Sequence, residues 1–201
     1  MNKIYGNIED FTLVKDERSR VVVSYGMVAE EDNVHATWYE VYLCKSQTGI
    51  PDLRAVRQAV EDDIDKQTDA KILNTFPWTI LHGDNEKPID QRDIGREITV
   101  WLSRENQDNF KEAHRLACID ATKVVPIRFK LNEEEDKSAI YDTFETFEEL
   151  NDFYLRAFNY IKVDCIDAGW ARKDFIDWQP YEEALANLPD DNEPQAENNG
   201  E

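Results

Sequence analysis

The feature that most constrains the fold is a group of three β-type segments ahead of the first helical pattern. They are FTLVKD (11–16), RVVVSYGMVAE (20–30) and HATWYEVYLCK (35–45). Val, Thr and Tyr are typical of strands, and the third segment partly alternates between apolar and polar residues. Because the polar breaks DERSR and EEDN separate the segments, the sequence predicts an antiparallel β-meander within residues 1–50.

Helical periodicity begins after GIPD (49–52), which ends the predicted sheet. The stretch TDAKILNTF (68–76) predicts a second, short helix that begins with Thr68 as its cap and ends before Pro77. One apolar face of the first helix is formed by Leu53, Val56, Ala59, Val60 and Ile64.

Two strand pairs are predicted further along the chain. WTIL (78–81) pairs with ITVWL (98–102), and VVPIRFKL (124–131) pairs with AIYDTF (139–144). The polar segment 82–97 between the first two is either the loop of a long hairpin or a mobile insertion.

The clearest helix begins at a T-x-x-E capping box formed by Thr146 and Glu149. We expect this helix to reach Ala168 and to end at Gly169 in a left-handed turn. Three aromatic residues then follow, and we expect them to pack back onto the body of the protein. They are Trp170, Phe175 and Trp178.

The predicted fold class is α+β. An N-terminal antiparallel β-meander (1–50) precedes a domain of hairpin strands packed against two or three amphipathic helices (51–188). Residues 189–201, PDDNEPQAENNGE, contain no large apolar side chain and predict a disordered acidic tail.

The polar run VWLSRENQDNF (100–110) joins a predicted strand to a predicted helix. Ser103 stands at the N-cap position, and Glu105 places a carboxylate in the first turn, where the helix dipole is positive. Trp101 and Phe110 flank these residues, and we expect both to be buried.

Three amides in this run, Asn106, Gln107 and Asn109, exceed what capping needs. They serve either to hydrogen-bond neighbouring backbone groups or to contact a ligand or partner. We expect Asn106 to be hydrogen-bonded inside the domain. The candidate structural or contact residues are Trp101, Ser103, Glu105, Asn106, Gln107, Asn109, Trp170 and Trp178.

The formal net charge of −20 and the pI of about 4.5 repel nucleic-acid phosphates and anionic membranes. DNA binding through a basic patch is therefore not expected. The N-terminus has no apolar leader segment, and no stretch of 18 apolar residues predicts a membrane span. Cys44, Cys118 and Cys165 are odd in number and widely spaced, which favours free thiols in a reducing compartment.

No motif for catalysis or cofactor binding occurs in the sequence: G-x-S-x-G, H-E-x-x-H, the P-loop and G-x-G-x-x-G are all missing. His114 and Cys118 have the i, i+4 spacing of two metal ligands, but two ligands do not complete a site. A hydrolase would need two carboxylates with different pKa values, and no pattern in the sequence singles out such a pair among the many acidic residues. The sequence therefore predicts a non-enzymatic protein without a catalytic, cofactor or metal site.

Five motifs in order give the chain a resemblance to a known family. They are ILNTFPW, VWLSRENQDNFKEAHRLA, VPIRFKL, YDTFETFEELNDFYLRAFNYI and AGWARKDFIDWQPY, which together cover roughly Pro51 to Tyr181. This order resembles a domain of unknown function found in phage and prophage proteins, often encoded near tail genes in phages of gut bacteria. Two segments depart from it: the stretch between Trp78 and Ile98 is longer than the family's short turn, and the sequence 111–117 differs.

The resemblance implies a structural or assembly protein of a tailed phage, near the tail, baseplate or tail fibres. Its partners would be other phage structural proteins, with a homo-oligomer as an open alternative, and its location the virion or the host cytoplasm. Two other functions remain open. The charge is typical of an acidic DNA mimic that inhibits a host defence protein, and the Trp residues, if exposed in a groove, would indicate a carbohydrate-binding tail component.

Overall fold

The computed structural model describes residues 2–45 and 49–189. These residues form two compact units. The sheet unit contains the described residues up to Gln67 and from Trp170 onward, and the hairpin unit is Thr68–Gly169. This division differs from the predicted domain boundary between residues 50 and 51. The predicted tail beyond Pro189 lies outside the described residues.

The sheet unit is built on four antiparallel strands: β1 (Asn2–Asn7), β2 (Val14–Glu17), β3 (Arg20–Ala29) and β4 (His35–Cys44). Their order is β1-β4-β3-β2, so the predicted meander is confirmed as β2, β3 and β4. Strand β1 was not predicted. It pairs along β4 from Asn2 opposite Glu40 to Asn7 opposite His35, and its polar, largely exposed side chains give no strand pattern.

Helix α1 (Leu53–Asn74) is continuous, so the prediction of a separate short helix beginning at Thr68 is wrong. No Gly or Pro interrupts the segment, and the helix therefore runs through Thr68. Its predicted apolar face is confirmed at Val56, Val60 and Ile64, which are buried in the core of the sheet unit. Helix α5 (Gln179–Ala186) adds the buried Tyr181 to the same core.

The hairpin unit contains both predicted strand pairs: β5 (Phe76–Thr79) with β6 (Glu97–Val100), and β7 (Ile127–Glu133) with β8 (Ala139–Phe144). Helices α2 (Arg104–Asp120) and α3 (Phe147–Asn159) pack against them, and the capping box at Thr146 and Glu149 is present. Phe153 lies at the centre of the core, with the rings of Trp78, Phe110 and Phe144 each 4.9 Å from its own. The α+β class is therefore confirmed.

The chain continues beyond α3 as a π-helical segment (Tyr160–Asp167) and then as helix α4 (Ala168–Asp174). The prediction that Gly169 ends the helix is therefore wrong. Gly169 is buried, and a Cβ atom built on it would lie 2.5 Å from Oγ1 of Thr68. Glycine is needed here because α4 passes so close to Thr68 of α1 that a larger side chain would overlap it. The predicted left-handed turn at Gly169 is not present, since Gly169 lies within α4.

The segment 81–83, at the start of the long loop, is fixed by one buried carboxylate. Asp142 is fully buried and accepts hydrogen bonds from the backbone N–H groups of Leu81, His82 and Gly83 at 2.8–2.9 Å. It also accepts from the indole Nε1 of Trp78 at 2.9 Å.

None of the helices in the described residues combines the length and the apolar character that a membrane span needs.

Candidate functional site

The polar run 100–110 forms a strand-to-helix junction in the hairpin unit. The Ser103 hydroxyl accepts a hydrogen bond from the backbone N–H of Asn106 at 3.2 Å, which confirms the predicted N-cap of α2. Glu105 is exposed in the first turn, as expected for a residue that faces the helix dipole. Phe110 is buried, but Trp101 is 37% exposed, so the prediction that Trp101 is buried is wrong. Its neighbour Leu102 occupies the core instead.

The amides of this run bind backbone carbonyls just before the helix. Nδ2 of Asn106 donates to the carbonyl oxygen of Trp101 at 2.8 Å, and Nε2 of Gln107 donates to that of Leu102 at 2.7 Å. Asn106 is half-buried, and Asn109 is exposed. Asn106 and Gln107 therefore follow the structural interpretation of the run, since their side chains hold the end of the strand to the beginning of α2.

The aromatic residues after Gly169 belong to the sheet unit, and two of the three do not pack as predicted. Trp170 is 57% exposed and Phe175 is 87% exposed. The apolar residue that turns inward here is Ile176. Trp178 is half-buried, as expected, with its ring 5.3 Å from that of Tyr181.

Phe175 lines a concave surface of the sheet unit. This sheet-unit cleft is open, is mostly apolar and has a volume of about 750 Å³. None of the eight candidate contact residues lines it. Its lining includes Tyr25, Met27, Val28, Tyr39, Phe175 and Ile176.

Strand β3 reaches this cleft with an irregular segment. Tyr25 pairs with Tyr39 and Val28 with Thr37, so β3 holds one extra residue between these pairs, which is a β-bulge. Gly26 lies in the bulge with φ +64°, a left-handed conformation that glycine adopts at low cost. Residues 26–30 are exposed, although the preceding five residues of β3 are buried.

A buried polar network lies along one wall of the cleft. The Tyr25 hydroxyl donates to Oδ2 of Asp63 at 2.6 Å. Nε2 of Gln67 donates both to the Tyr25 hydroxyl oxygen and to Oδ2 of Asp63, at 2.8 Å each. Burial and the bond to the Asp63 carboxylate raise the pKa of Tyr25 well above its usual range. The hydroxyl therefore stays protonated and acts as a fixed donor.

The network ends at a cation that lines the cleft. Nη2 of Arg172 donates to Oε1 of Gln67 at 2.8 Å, and its guanidinium carbon lies 5.4 Å from the ring centroid of Tyr39. Gln67 is buried, so its position is fixed by packing as well as by hydrogen bonds. The cleft therefore combines an apolar lining with one guanidinium whose position is fixed by Gln67 and Tyr39, and such a combination is typical of binding sites.

Sequence reasoning did not find this cleft, although one signal was available. A single Gly inside a strand pattern, as in VVVSYGMVAE, is typical of a bulge. The exposure of Phe175 had no such signal, because an aromatic residue between two other aromatic residues resembles a core segment.

The other predicted pair, His114 and Cys118, lies on α2 in the hairpin unit. Cys118 Sγ is 3.8 Å from Nε2 and 4.0 Å from Nδ1 of the imidazole, and Nε2 is also 2.9 Å from Oδ1 of Asn151. The ring stacks on Tyr154 at 4.2 Å. Within the described ranges, no group of three His, Cys, Asp or Glu side chains is placed to hold a metal ion.

Comparison with protein-family models, with curated proteins and with solved structures finds no significant match. The resemblance to a phage tail-associated family therefore stays a prediction.

Proposed function

We propose that the protein is a non-enzymatic structural or assembly protein of a tailed phage, and that it acts by protein–protein contact at the sheet-unit cleft. One observation carries this proposal: an open apolar cleft whose rim exposes Phe175, Met27 and Val28. Isolated apolar side chains are common on protein surfaces, but a concave group of them is typical of an interaction site. The phage assignment rests on the order of the five sequence motifs.

We expect Phe175 to make the largest single apolar contribution to binding at the cleft, because it is the most exposed of the large apolar side chains that line it. An exposed Phe side chain that becomes buried on binding contributes roughly 1.5–3 kcal/mol. Aromatic residues, Phe included, are also enriched at protein interfaces. Because the Phe175 ring is 87% exposed, its truncation should weaken binding without opening a cavity in the core.

The two alternatives have less support. An acidic DNA mimic needs faces of carboxylates without interspersed cations, whereas Glu112 and Asp152 are paired with Arg115 and Arg156 on their own helices. A carbohydrate site needs Trp rings in a groove, and neither exposed Trp residue, Trp101 or Trp170, lines the cleft.

The test is affinity purification of the tagged chain from infected cells, with mass spectrometry of the recovered proteins. We expect phage structural proteins with the unmodified chain, and about tenfold less of them with Phe175→Ala. Ile89→Ala is the matched control, because Ile89 is 73% exposed in the hairpin unit and should have no effect. Recovery of host nucleases or repair enzymes alone, without phage structural proteins, contradicts the proposal.

A further inference from the structure

We infer that the segment received by the sheet-unit cleft is an extended polypeptide that adds to β3 as a further strand. This inference rests on the proposed protein-binding function and specifies how binding occurs. It is carried by an incomplete sheet edge that borders the cleft.

Strand β2 covers only the first part of β3. The β2–β3 pairing runs from Glu17 opposite Arg20 to Val14 opposite Val23, and the last bond on this side joins Ser24 N–H to the Leu13 carbonyl at 3.0 Å. Beyond Ser24, no described strand pairs with β3 on this side, although β3 continues to Ala29 and stays paired with β4 on the other.

The unpaired part of β3 presents hydrogen-bonding groups at the cleft. Backbone groups of a strand point alternately to its two neighbours, so part of the N–H and C=O groups of residues 26–29 face the uncovered side. Gly26, Met27 and Val28 also line the cleft. A segment that pairs with this edge therefore places its side chains along the apolar surface.

The chemistry of the cleft limits which side chains such a segment carries. Every second residue of a strand faces the same side, and the apolar lining favours Val, Ile, Leu or an aromatic residue there. The guanidinium of Arg172 has five N–H donors, of which the described contacts use one, for Gln67. A carboxylate on the incoming segment is the matching group.

The occupant is a segment of a different protein. A second copy of the chain would also carry a formal charge of −20, and the two copies would repel each other. The chain's own residues 189–201 contain no large apolar side chain and cannot fill an apolar cleft.

The experiment is selection of random dodecapeptides from a display library against the full-length chain. The selected peptides are then synthesised, and their affinities are measured by fluorescence anisotropy. Each peptide is also prepared with alternate backbone amides N-methylated, which removes N–H donors and keeps the side chains. The protein variants are Phe175→Ala, Arg172→Gln and the matched control Arg54→Gln, since Arg54 is exposed and does not line the cleft.

We expect enriched peptides with alternating apolar residues and an Asp or Glu. Phe175→Ala and N-methylation should each weaken them about tenfold, which corresponds to loss of an interface aromatic or of one to two backbone hydrogen bonds. Arg172→Gln should weaken only the peptides with a carboxylate, and Arg54→Gln should weaken none.

Three results would overturn different parts of the account. Peptides that need Phe175 but tolerate N-methylation would exclude strand addition and leave the cleft as a protein-binding site. Failure to enrich any peptide that depends on Phe175 would contradict the proposed function itself. Selection of the chain's own β3 sequence would indicate a second copy as the occupant.

Discussion

At the scale of single residues, Asp142 determines the local structure of the hairpin unit. Its two carboxylate oxygens accept hydrogen bonds from the indole of Trp78 and from four backbone N–H groups. Three of these N–H groups belong to residues 81–83, and the fourth belongs to the neighbouring Thr143, at 2.9 Å. A buried carboxylate is stable only when it is hydrogen-bonded in this way. Most of these donors lie about sixty positions earlier in the chain, so the sequence gives no indication of the role of Asp142.

Asp142→Asn is therefore expected to be strongly destabilising. The amide nitrogen that replaces one carboxylate oxygen cannot accept, which leaves backbone N–H groups without a partner. We expect a loss of about 2–3 kcal/mol in the free energy of unfolding, measured by urea denaturation. Asp152→Asn, at an exposed ion pair on α3, should cost less than about 0.5 kcal/mol. Equal effects of the two substitutions would contradict the assigned role.

His82 couples this segment to pH. Its ring Nε2 lies 3.0 Å from Oε1 of Glu149. This hydrogen bond is the main cause that raises the pKa of His82 above 6.5. Partial burial acts in the opposite direction, and the negative charges of Glu149, Glu145 and Asp142 raise the pKa further. A raised folded-state pKa means that protonated His82 stabilises the folded protein. This contribution is fully present below the unfolded pKa of about 6.5 and is lost as pH rises through the folded pKa.

We therefore expect the free energy of unfolding to decrease over the pH range just above 6.5, and His82→Gln to remove this decrease. The chain has three His residues, so NMR titration can follow each ring separately. A His82 pKa at or below 6.5 would contradict the structure.

At the scale of secondary-structure elements, local signals were predictable and tertiary effects were not. The N-cap at Ser103 and the capping box at Thr146 depend on neighbours three positions away, and both were predicted correctly. The exposure of Trp101 and Phe175 depends on which neighbour, Leu102 or Ile176, fills the core. Alternating apolar residues in a short segment do not determine that choice.

Gly169 shows the same limit and provides a test. The Gly169→Ala methyl group would overlap Oγ1 of Thr68, and we expect a loss of about 1–3 kcal/mol in the free energy of unfolding. Thr68→Ala removes the overlapping atom, so the double variant should recover part of this loss. Additive effects of the two substitutions, measured by urea denaturation, would favour a backbone role for Gly169.

At the scale of the whole molecule, the α+β class and seven of the eight strands in the described residues followed from hydrophobic patterns. The missed strand β1 lies at the edge of its sheet, and its mostly exposed residues give no apolar–polar alternation. The cleft could not be predicted because residues near positions 25 and 175 meet only in the folded sheet unit. The polar run 100–110 chiefly stabilises the start of helix α2.

The most direct test of the cleft as a strand-accepting protein surface is amide hydrogen exchange of the full chain. Exchange is measured on the free chain and on its complex with the partner recovered from infected cells. We predict that those amides of residues 26–29 that face the uncovered side exchange more slowly in the complex, while those of Arg20–Val23, which already pair with β2 and β4, do not change. Protection confined to the hairpin unit, with residues 26–29 unchanged, would contradict this account.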